Sequence, residues 1–263
     1  MTETGTETGE TNETTETTTL FKQLRFGSRA VYVPEEDTVA VSDLHVGFAD
    51  AARRRGTGVP IDEGMVLEKA VRDVLTRFEP STLVFNGDVQ HSFGGIGDAR
   101  DTVNRLRSVA ESYEAAPVFV EGNHDTDLDA VVETCAWHAE GDVVFTHGHT
   151  VPLDLPDAAL YVVGHDHPTV EIEMQKQACF LYGPFDFDGK VGKNEDDGEV
   201  GQDADVLMTP ALNPLCEGVV VNEMRASDFL SPFVRRFGEF RVAVETDGEV
   251  LRFPPIREFR RML

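Results

Sequence analysis

Five short segments rich in β-branched residues lie between residues 38 and 164, and each is followed by Asp, Asn or His, either directly or after one glycine. Segments of this length and composition are typical of buried strands. The carboxyl ends of strands in an α/β sheet form a ligand-binding crevice, so the pattern predicts that the five ends deliver polar side chains to one place. The five segments are Thr38–Ser42, Thr82–Asn86, Pro117–Glu121, Asp142–Thr146 and Leu160–Gly164.

Helix-like stretches separate these segments, and further strand-like stretches follow them. Apolar residues recur at helical spacing in Glu63–Phe78 and in Asp98–Tyr113. Asp247-Gly248 is a hairpin signal near the C-terminus. We therefore expect an α/β domain with one mixed sheet, or two sheets, flanked by helices. The C-terminal stretches that resemble strands are Gly218–Asn222, Phe240–Glu245 and Glu249–Phe253.

Two stretches have too few apolar residues to join a folded core. Residues 1–19 carry five Glu and no basic residue, which predicts a disordered acidic tail before a domain at residues 20–263. Residues 186–205 contain eight acidic residues between strand-like segments. We interpret them as an acidic surface loop inserted in that domain.

The sequence shows no signal for export or membrane insertion. Residues 1–19 lack the apolar stretch of a signal peptide, and no run approaches the ~18–20 apolar residues that span a membrane. The three cysteines are far apart and form no CxxC pair, which argues against a disulfide framework or a thiolate zinc site. We expect a protein of the reduced cytoplasm with no membrane partner.

The chain is strongly acidic and poor in lysine. It has 48 Asp and Glu against 23 Lys and Arg, a formal charge of −25, and only five Lys. One interpretation is a surface for cations or a basic partner. The other is adaptation of the haloarchaeal type to molar intracellular salt, because carboxylates keep a protein hydrated where salt screens charge. We favour the second, since the acidic residues are spread along the chain.

Seven of the eight histidines lie at or near the five strand ends, together with two Asp and one Asn. A single Asp or His at a strand end is usually a turn residue or an ordinary hydrogen-bonded histidine, but this does not account for five such ends. Imidazole, carboxylate and amide ligands without thiolate suit Mn²⁺, Fe, Ni²⁺ or Zn²⁺. The set is large enough for two ions that share one carboxylate. The histidines are His45, His91, His124, His147, His149, His165 and His167.

The order of these residues resembles the signature of the calcineurin-like metallophosphoesterase superfamily, which is D-x-H, G-D, G-N-H-D/E, H and G-H-x-H. All five elements are present in order and together span residues 43–167. They are Asp43-Leu44-His45, Gly87-Asp88, Gly122-Asn123-His124-Asp125, His147 and Gly164-His165-Asp166-His167.

Three further stretches, Ser42–Gly47, Arg53–Pro60 and Gly87–Phe93, resemble the small ICC-like phosphoesterases related to the nuclease SbcD. That group includes proteins encoded beside DNA ligase and Lhr-type helicases. The resemblance implies a β-sandwich of two mixed sheets flanked by helices, a phosphoester substrate such as DNA or RNA, and an association with a helicase or ligase system.

The resemblance also implies a role for each signature residue. Asp88 would bridge two divalent ions, with Mn²⁺ the most favoured, and His124 would be the acid or transition-state stabiliser near the leaving oxygen. Asp125 is a candidate to orient His124. The first ion would be held by Asp43, His45, Asp88 and His167, and the second by Asp88, Asn123, His147 and His165.

Several nearby residues have open roles. His91 stands where nucleases of the superfamily often have a carboxylate. It either makes a supporting hydrogen bond behind the site or begins a helix, or else it contacts phosphate. His149 is more consistent with support of the metal ligands than with direct ligation, and strand alternation turns Asp166 away. Three adjacent arginines are either a phosphate-backbone contact or an exposed helix face. They are Arg53, Arg54 and Arg55.

Three functions remain compatible with the sequence. The first is a nuclease or phosphodiesterase acting on nucleic acid in a repair or processing context. The second is a small-molecule phosphatase or a cyclic-nucleotide phosphodiesterase. The third is a metal-free scaffold on the same fold, such as the retromer subunit that resembles phosphoesterases, but such scaffolds typically lack the catalytic histidine that His124 provides here.

The acidic composition predicts that the folded state needs salt. Self-repulsion among charges that sum to −25 destabilises the compact state at low ionic strength and is screened at high ionic strength. The unfolding midpoint, followed by circular dichroism, should therefore rise between dilute buffer and molar KCl. A midpoint that is unchanged or higher in dilute buffer would show that the acidity serves another purpose.

Overall fold

Two β-sheets are stacked face to face and place the five predicted strand ends near one another. The computed structural model describes residues 23–57, 60–91, 97, 99–185, 204–246 and 248–262. The predicted tail 1–19, most of the predicted loop 186–205, Asp98 and Asp247 lie outside these residues. The same holds for parts of the stretches Arg53–Pro60 and Gly87–Phe93.

The first sheet has six strands in chain order, of which the last four are parallel. The first three strands pair antiparallel. Apolar side chains alternate between the two faces, so that Val39 and Val41 face the helices while Ala40 faces the second sheet. The strands are Arg25–Gly27 (β1), Ala30–Val33 (β2), Thr38–Val41 (β3), Thr82–Asn86 (β4), Ala116–Val120 (β5) and Thr134–Cys135 (β6).

The second sheet has seven strands. Two of the five predicted strand ends follow its parallel pair Val143–Thr146 (β8) and Leu160–Val163 (β9), and the other three follow strands of the first sheet. The strand that follows residues 186–203 is also parallel to β9 and begins at Ala204, so the last two residues of the predicted acidic loop belong to a strand. In sheet order the strands are Glu249–Pro255 (β16), Arg241–Thr246 (β15), Phe180–Phe185 (β12), Ala204–Met208 (β13), Leu160–Val163 (β9), Val143–Thr146 (β8) and Trp137–Glu140 (β7).

A small third sheet and the helices lie outside this sandwich. The third sheet pairs Gln175–Ala178 (β11), Pro168–Ile172 (β10) and Val219–Val220 (β14), so the predicted strand Gly218–Asn222 is only two residues long. The α-helices are Phe48–Arg54 (α1), Glu63–Phe78 (α2), Ala99–Ser112 (α3) and Ile256–Phe259 (α4), and short 3-10 turns span Pro34–Glu36, Leu128–Ala130, Ala226–Asp228 and Phe237–Glu239.

The apolar residues form three cores, one between the sheets and one on each outer face. The helix α2 buries Leu67, Val71 and Val74 against the first sheet, as its apolar spacing predicts. The side chain of Asp62 caps it by accepting from the Met65 amide at 3.1 Å. The outer face of the second sheet is covered by C-terminal aromatic residues, among them Phe233 and Phe240. The predicted α/β sandwich of two mixed sheets flanked by helices is therefore confirmed.

The two sheets are also joined by polar contacts close to the strand ends. The buried side chain of Asn86, the last residue of β4, donates from Nδ2 to the carbonyl oxygens of Thr146 at 3.1 Å and Val162 at 3.0 Å. Nearby, the hydroxyls of Ser42 and Thr209 lie 2.7 Å apart. These contacts fix the separation between the strand ends of one sheet and those of the other. In the described part of the chain, none of the helices is long and apolar enough to cross a membrane.

Truncation of Asn86 should therefore destabilise the protein. We expect Asn86→Ala to lower the free energy of unfolding by about 1–3 kcal/mol, because two inter-sheet hydrogen bonds are lost in a fully buried place. Urea denaturation measures this change. Asn222→Ala is the matched control, since Asn222 makes two hydrogen bonds to Glu171 in the half-buried third sheet. Equal losses in the two variants would contradict a special role for the inter-sheet contact.

Candidate metal centre

The loops that follow β3, β4, β5, β8 and β9 converge on one cluster of imidazole and carboxylate side chains. Asp43, Asp88 and His147 in this cluster are almost completely buried. The backbone of the loop after β3 is hydrogen-bonded to that of the loop after β4. The amides of Asp43 and His45 donate to the carbonyl oxygens of Gly87 and Asp88 at 3.1 and 2.8 Å. The strand order thus brings together residues that are up to 124 positions apart in the chain, Asp43 and His167.

The first group of converging ligand atoms belongs to Asp43, His45 and His167. Their atoms lie within 4.8 Å of one another. The Nε2 atoms of His45 and His167 are 3.1 Å apart, and Nε2 of His167 is 3.2 Å from Oδ1 of Asp43. The other nitrogen of the His167 ring, Nδ1, lies 3.3 Å from the Glu217 carbonyl oxygen. This contact orients the His167 ring with Nε2 toward the group.

The second group belongs to Asp88, His147 and His165, with Asn123 beside it. The Nε2 atom of His147 lies 3.2 Å from Nδ1 of His165, 3.2 Å from Oδ1 of Asn123 and 3.4 Å from Oδ2 of Asp88. The same carboxylate oxygen is 3.7 Å from Nε2 of His45 in the first group. Asp88 therefore lies between the two groups.

The backbone at this cluster is held in the left-handed conformation, which residues other than glycine rarely adopt. Positive φ angles occur at Asp43 (57°), His45 (45°), Asp88 (47°), His165 (79°) and His167 (47°). Such backbone costs free energy and is concentrated in functional sites, where the surrounding structure holds it. Five of the seven predicted metal ligands thus lie on strained backbone, which aims their side chains into the cluster.

A glycine allows one close approach in the cluster. A Cβ atom at Gly122 would lie 2.2 Å from both the amide nitrogen and Oδ1 of Asp88. The backbone that carries Asn123 and His124 can therefore pass directly over Asp88 only with glycine at this position. The amide of His124 uses this proximity and donates to Oδ1 of Asp88 at 2.9 Å.

The buried charges shift the pKa values of the cluster in opposite directions. Burial raises the pKa of Asp88, but His147 and His45 beside it more than offset this and lower that pKa below its ordinary value. Burial lowers the pKa of His167, yet Asp43 outweighs this and raises it to about 9. Burial lowers the pKa of His45 to about 4 in spite of both carboxylates, so that imidazole is neutral. A neutral imidazole offers a nitrogen lone pair to a metal ion.

The chemistry of the donor set fits divalent metal ions. The nitrogens of His45 and His167, and those of His147 and His165, face each other at 3.1 and 3.2 Å, so that the lone pairs of each pair can be directed toward one ion. The remaining donors are carboxylate and amide oxygens, and oxygen with imidazole is the combination that Mn²⁺, Fe, Ni²⁺ and Zn²⁺ accept. All three cysteines are free thiols, and none belongs to these groups.

His124 lies beside Asp88 with its ring fixed by the backbone. Its Nδ1 atom is 2.9 Å from the carbonyl oxygen of His91, and its Nε2 atom is 3.9 Å from Oδ2 of Asp88. A carbonyl oxygen only accepts, so Nδ1 carries a hydrogen and Nε2 faces the two groups.

Asp125, which we expected to orient the His124 ring, holds the loop backbone. Its carboxylate accepts from the amides of Gln90 at 2.9 Å and Gly122 at 2.8 Å, and burial raises its pKa to about 6. The side chain of Gln90 in turn donates to the carbonyl oxygen of His124 at 2.8 Å. Asp125 therefore acts on His124 through the loop that carries it.

The two histidines with open roles lie against the predicted ligands. The Nδ1 atom of His91 is 3.4 Å from Nδ1 of His45, and its ring stacks on His124 with centroids 5.6 Å apart. The ring of His149 packs 5.2 Å from that of His147, and its buried Nδ1 makes no hydrogen bond to the residues that the structure describes. Burial lowers the pKa of His149 to about 4.

The three arginines lie at the exposed end of α1. Arg53 pairs with Asp50 one turn earlier on the same helix. The first residue of this helix, Phe48, packs edge-on against His91 with ring centroids 5.0 Å apart. Burial lowers the pKa of His91, and the charges of His124 and Arg55 lower it further.

Two buried residues that the sequence analysis missed hold the first ligand loop. The carboxylate of Glu63 accepts from the Gly47 amide at 2.8 Å, and Asn213 donates to the Leu44 carbonyl oxygen at 2.9 Å. In the sequence Glu63 has the appearance of an ordinary acidic residue in the first turn of α2, and Asn213 that of a loop residue before a proline. Neither position carries a local signal of its contact with the site.

Comparison with known proteins bears on the fold. No protein-family model matches the chain, and no curated protein matches it. The structure is similar to the crystal structure of the nuclease MPE of Pseudomonas putida, with a TM-score of 0.53 and 17% sequence identity over 86% of this chain and 92% of that one. At an identity this low, the structural similarity establishes a shared fold and nothing further. The activity of this chain has to be argued from its own residues.

Proposed function

We propose that this protein is a dinuclear metal-dependent phosphodiesterase that hydrolyses nucleic acid. The observation that carries the proposal is the pair of ligand groups that flank Asp88, with His124 beside them. The first ion would be held by Asp43, His45, Asp88 and His167, and the second by Asp88, Asn123, His147 and His165.

The metal ions and His124 would have complementary tasks. When bound, two divalent ions lower the pKa of water to supply a nucleophile and offset the negative charge of the phosphate, and Mn²⁺ suits this donor set. His124 would protonate the leaving oxygen from Nε2, because its Nδ1 hydrogen is engaged by the His91 carbonyl oxygen. The loop braced by Asp125 and Gln90 would keep that nitrogen directed toward the two groups.

The choice of nucleic acid rests on two supports. The structural neighbour is named a nuclease, and the stretches Ser42–Gly47, Arg53–Pro60 and Gly87–Phe93 resemble the SbcD-related phosphoesterases. The charge of −25 opposes long-range attraction of a polyanion, so binding would depend on the metal ions and on screening by salt. The alternative is a small phosphoester substrate, which needs no extended contact with the protein surface.

Removal of metal should abolish activity and Mn²⁺ should restore it. We expect the chelated protein to be inert and the protein with Mn²⁺ to cleave phosphodiesters, because oxygen and imidazole ligands release metal more readily than thiolates. Rates on oligonucleotides, a bis-aryl phosphodiester and an aryl monoester in the same salt then rank the substrates. Full activity of metal-free protein would refute the mechanism, and preference for the monoester would refute the assigned substrate class.

Substitution of Asp88 and of His124 should have different effects. Asp88→Ala should lose bound metal and activity together. His124→Ala should keep both ions and lose about 10²–10⁴-fold in kcat for poor leaving groups, the usual contribution of acid–base catalysis. The loss should shrink for nitrophenolate, which departs without a proton.

Metal analysis beside kinetics on good and poor leaving groups measures these effects. The control is His138→Ala, since His138 pairs with Glu140 on β7 at 2.9 Å, outside the ligand groups. If His124→Ala releases metal, or slows all substrates equally, the leaving-group role is wrong.

A further inference from the structure

Glu63, a buried residue outside the ligand groups, accepts hydrogen bonds from the loop that follows β3. Its Oε2 accepts from the amide of Gly47 at 2.8 Å, and its Oε1 accepts from the amide of Ala49 at 3.2 Å. Oε1 also accepts from Nδ2 of Asn213 at 2.9 Å. The residue is 8% exposed. A carboxylate this deep is stabilised only where hydrogen-bond donors surround it, and here three donors do so.

Asn213 extends this contact to the ligands themselves. It is fully buried, and its Nδ2 donates both to Glu63 and to the carbonyl oxygen of Leu44 at 2.9 Å. Leu44 lies between Asp43 and His45, which both have positive φ angles. Its carbonyl oxygen therefore belongs to the strained segment that aims two predicted ligands of the first ion. The Asn213 side chain is itself held, since its Oδ1 accepts from the Leu215 amide at 3.0 Å.

Together the two side chains hold the backbone of this loop before and after His45 in the chain. Asn213 holds the carbonyl oxygen of the preceding residue, and Glu63 holds the amide two residues later. Strained backbone relaxes when the contacts that hold it are removed. Relaxation here would move His45 away from His167, which lies 3.1 Å away on a different loop.

We propose that Glu63 and Asn213 are a positioning pair that sets the metal affinity of the first ligand group while leaving the second unaffected. The inference rests on the proposed dinuclear centre. The second group also has support that does not involve the pair, since Asp166, which lies between His165 of that group and His167 of the first, accepts from the amides of Leu230 and Ser231 at 3.0 and 2.9 Å. Ser231 in turn donates to the carbonyl oxygen of Gly148, next to His147, at 2.7 Å.

The test isolates each ligand group before perturbing the pair. His165→Ala removes a ligand of the second group and His45→Ala a ligand of the first, so that each background retains one complete group. Glu63→Gln, which keeps the shape but turns a donor toward other donors, is added to each, and Mn²⁺ affinity is measured by equilibrium dialysis with metal analysis. We expect about a 10–100-fold loss in the His165→Ala background and no change in the His45→Ala background. Asn213→Ala should have the same selective effect.

Glu68→Gln is the matched control, because Glu68 lies on the same helix and pairs with Arg72 at 2.9 Å in a solvent-accessible place. It should leave both affinities unchanged. Equal losses in the two backgrounds, or none, would overturn the inference while the wild type still bound two Mn²⁺ ions. A wild type that binds no Mn²⁺ would instead refute the proposed function. Circular dichroism in chelator follows folding, and loss of the fold in both Glu63→Gln and Asn213→Ala would also overturn the inference, since the pair would then serve the fold.

Discussion

The burial of two carboxylates side by side, Asp43 and Asp88, is the constraint on which the rest of the site depends. Both are almost fully removed from solvent, and each raises the pKa of groups around it. Buried like charges persist only where cations or many hydrogen-bond donors compensate them. Imidazolium can do so in part, which is why the pKa of His167 rises to about 9. Two divalent ions would compensate the same charges fully and would release those protons.

Three further buried carboxylates maintain the backbone around this pair. Glu63 holds the loop after β3, Asp125 the loop after β5 and Asp166 the loop after β9, and each accepts two backbone amides. The positive φ angles at the ligands need such restraints, because a strained backbone relaxes when the contacts that hold it are removed. The acidic residues of this chain thus include a subset whose function is local and structural. That subset is distinct from the acidic residues that are spread along the chain.

The parts of the structure that the sequence could predict are those with local signals. The strand Thr82–Asn86 and the helix Glu63–Phe78 have the predicted bounds, because β-branched composition and apolar spacing act within a few residues. The polar residues that follow the five strands likewise predicted a cluster of such side chains at one place. The contact of Asn213 with Leu44 joins residues 169 positions apart, and the contacts of Asn86 join two sheets, so neither has a local signature. The contacts of Asp125 with the amides of Gln90 and Gly122 likewise have no side-chain signal in the sequence.

The most direct test of the proposed dinuclear centre is anomalous diffraction from crystals grown with Mn²⁺. Data collected on both sides of the manganese absorption edge identify the positions of the ions independently of any assumed ligand. The account predicts two peaks that share Asp88, one bound also by Asp43, His45 and His167 and the other by Asn123, His147 and His165. A single peak, or peaks elsewhere on the molecule at saturating Mn²⁺, would contradict it.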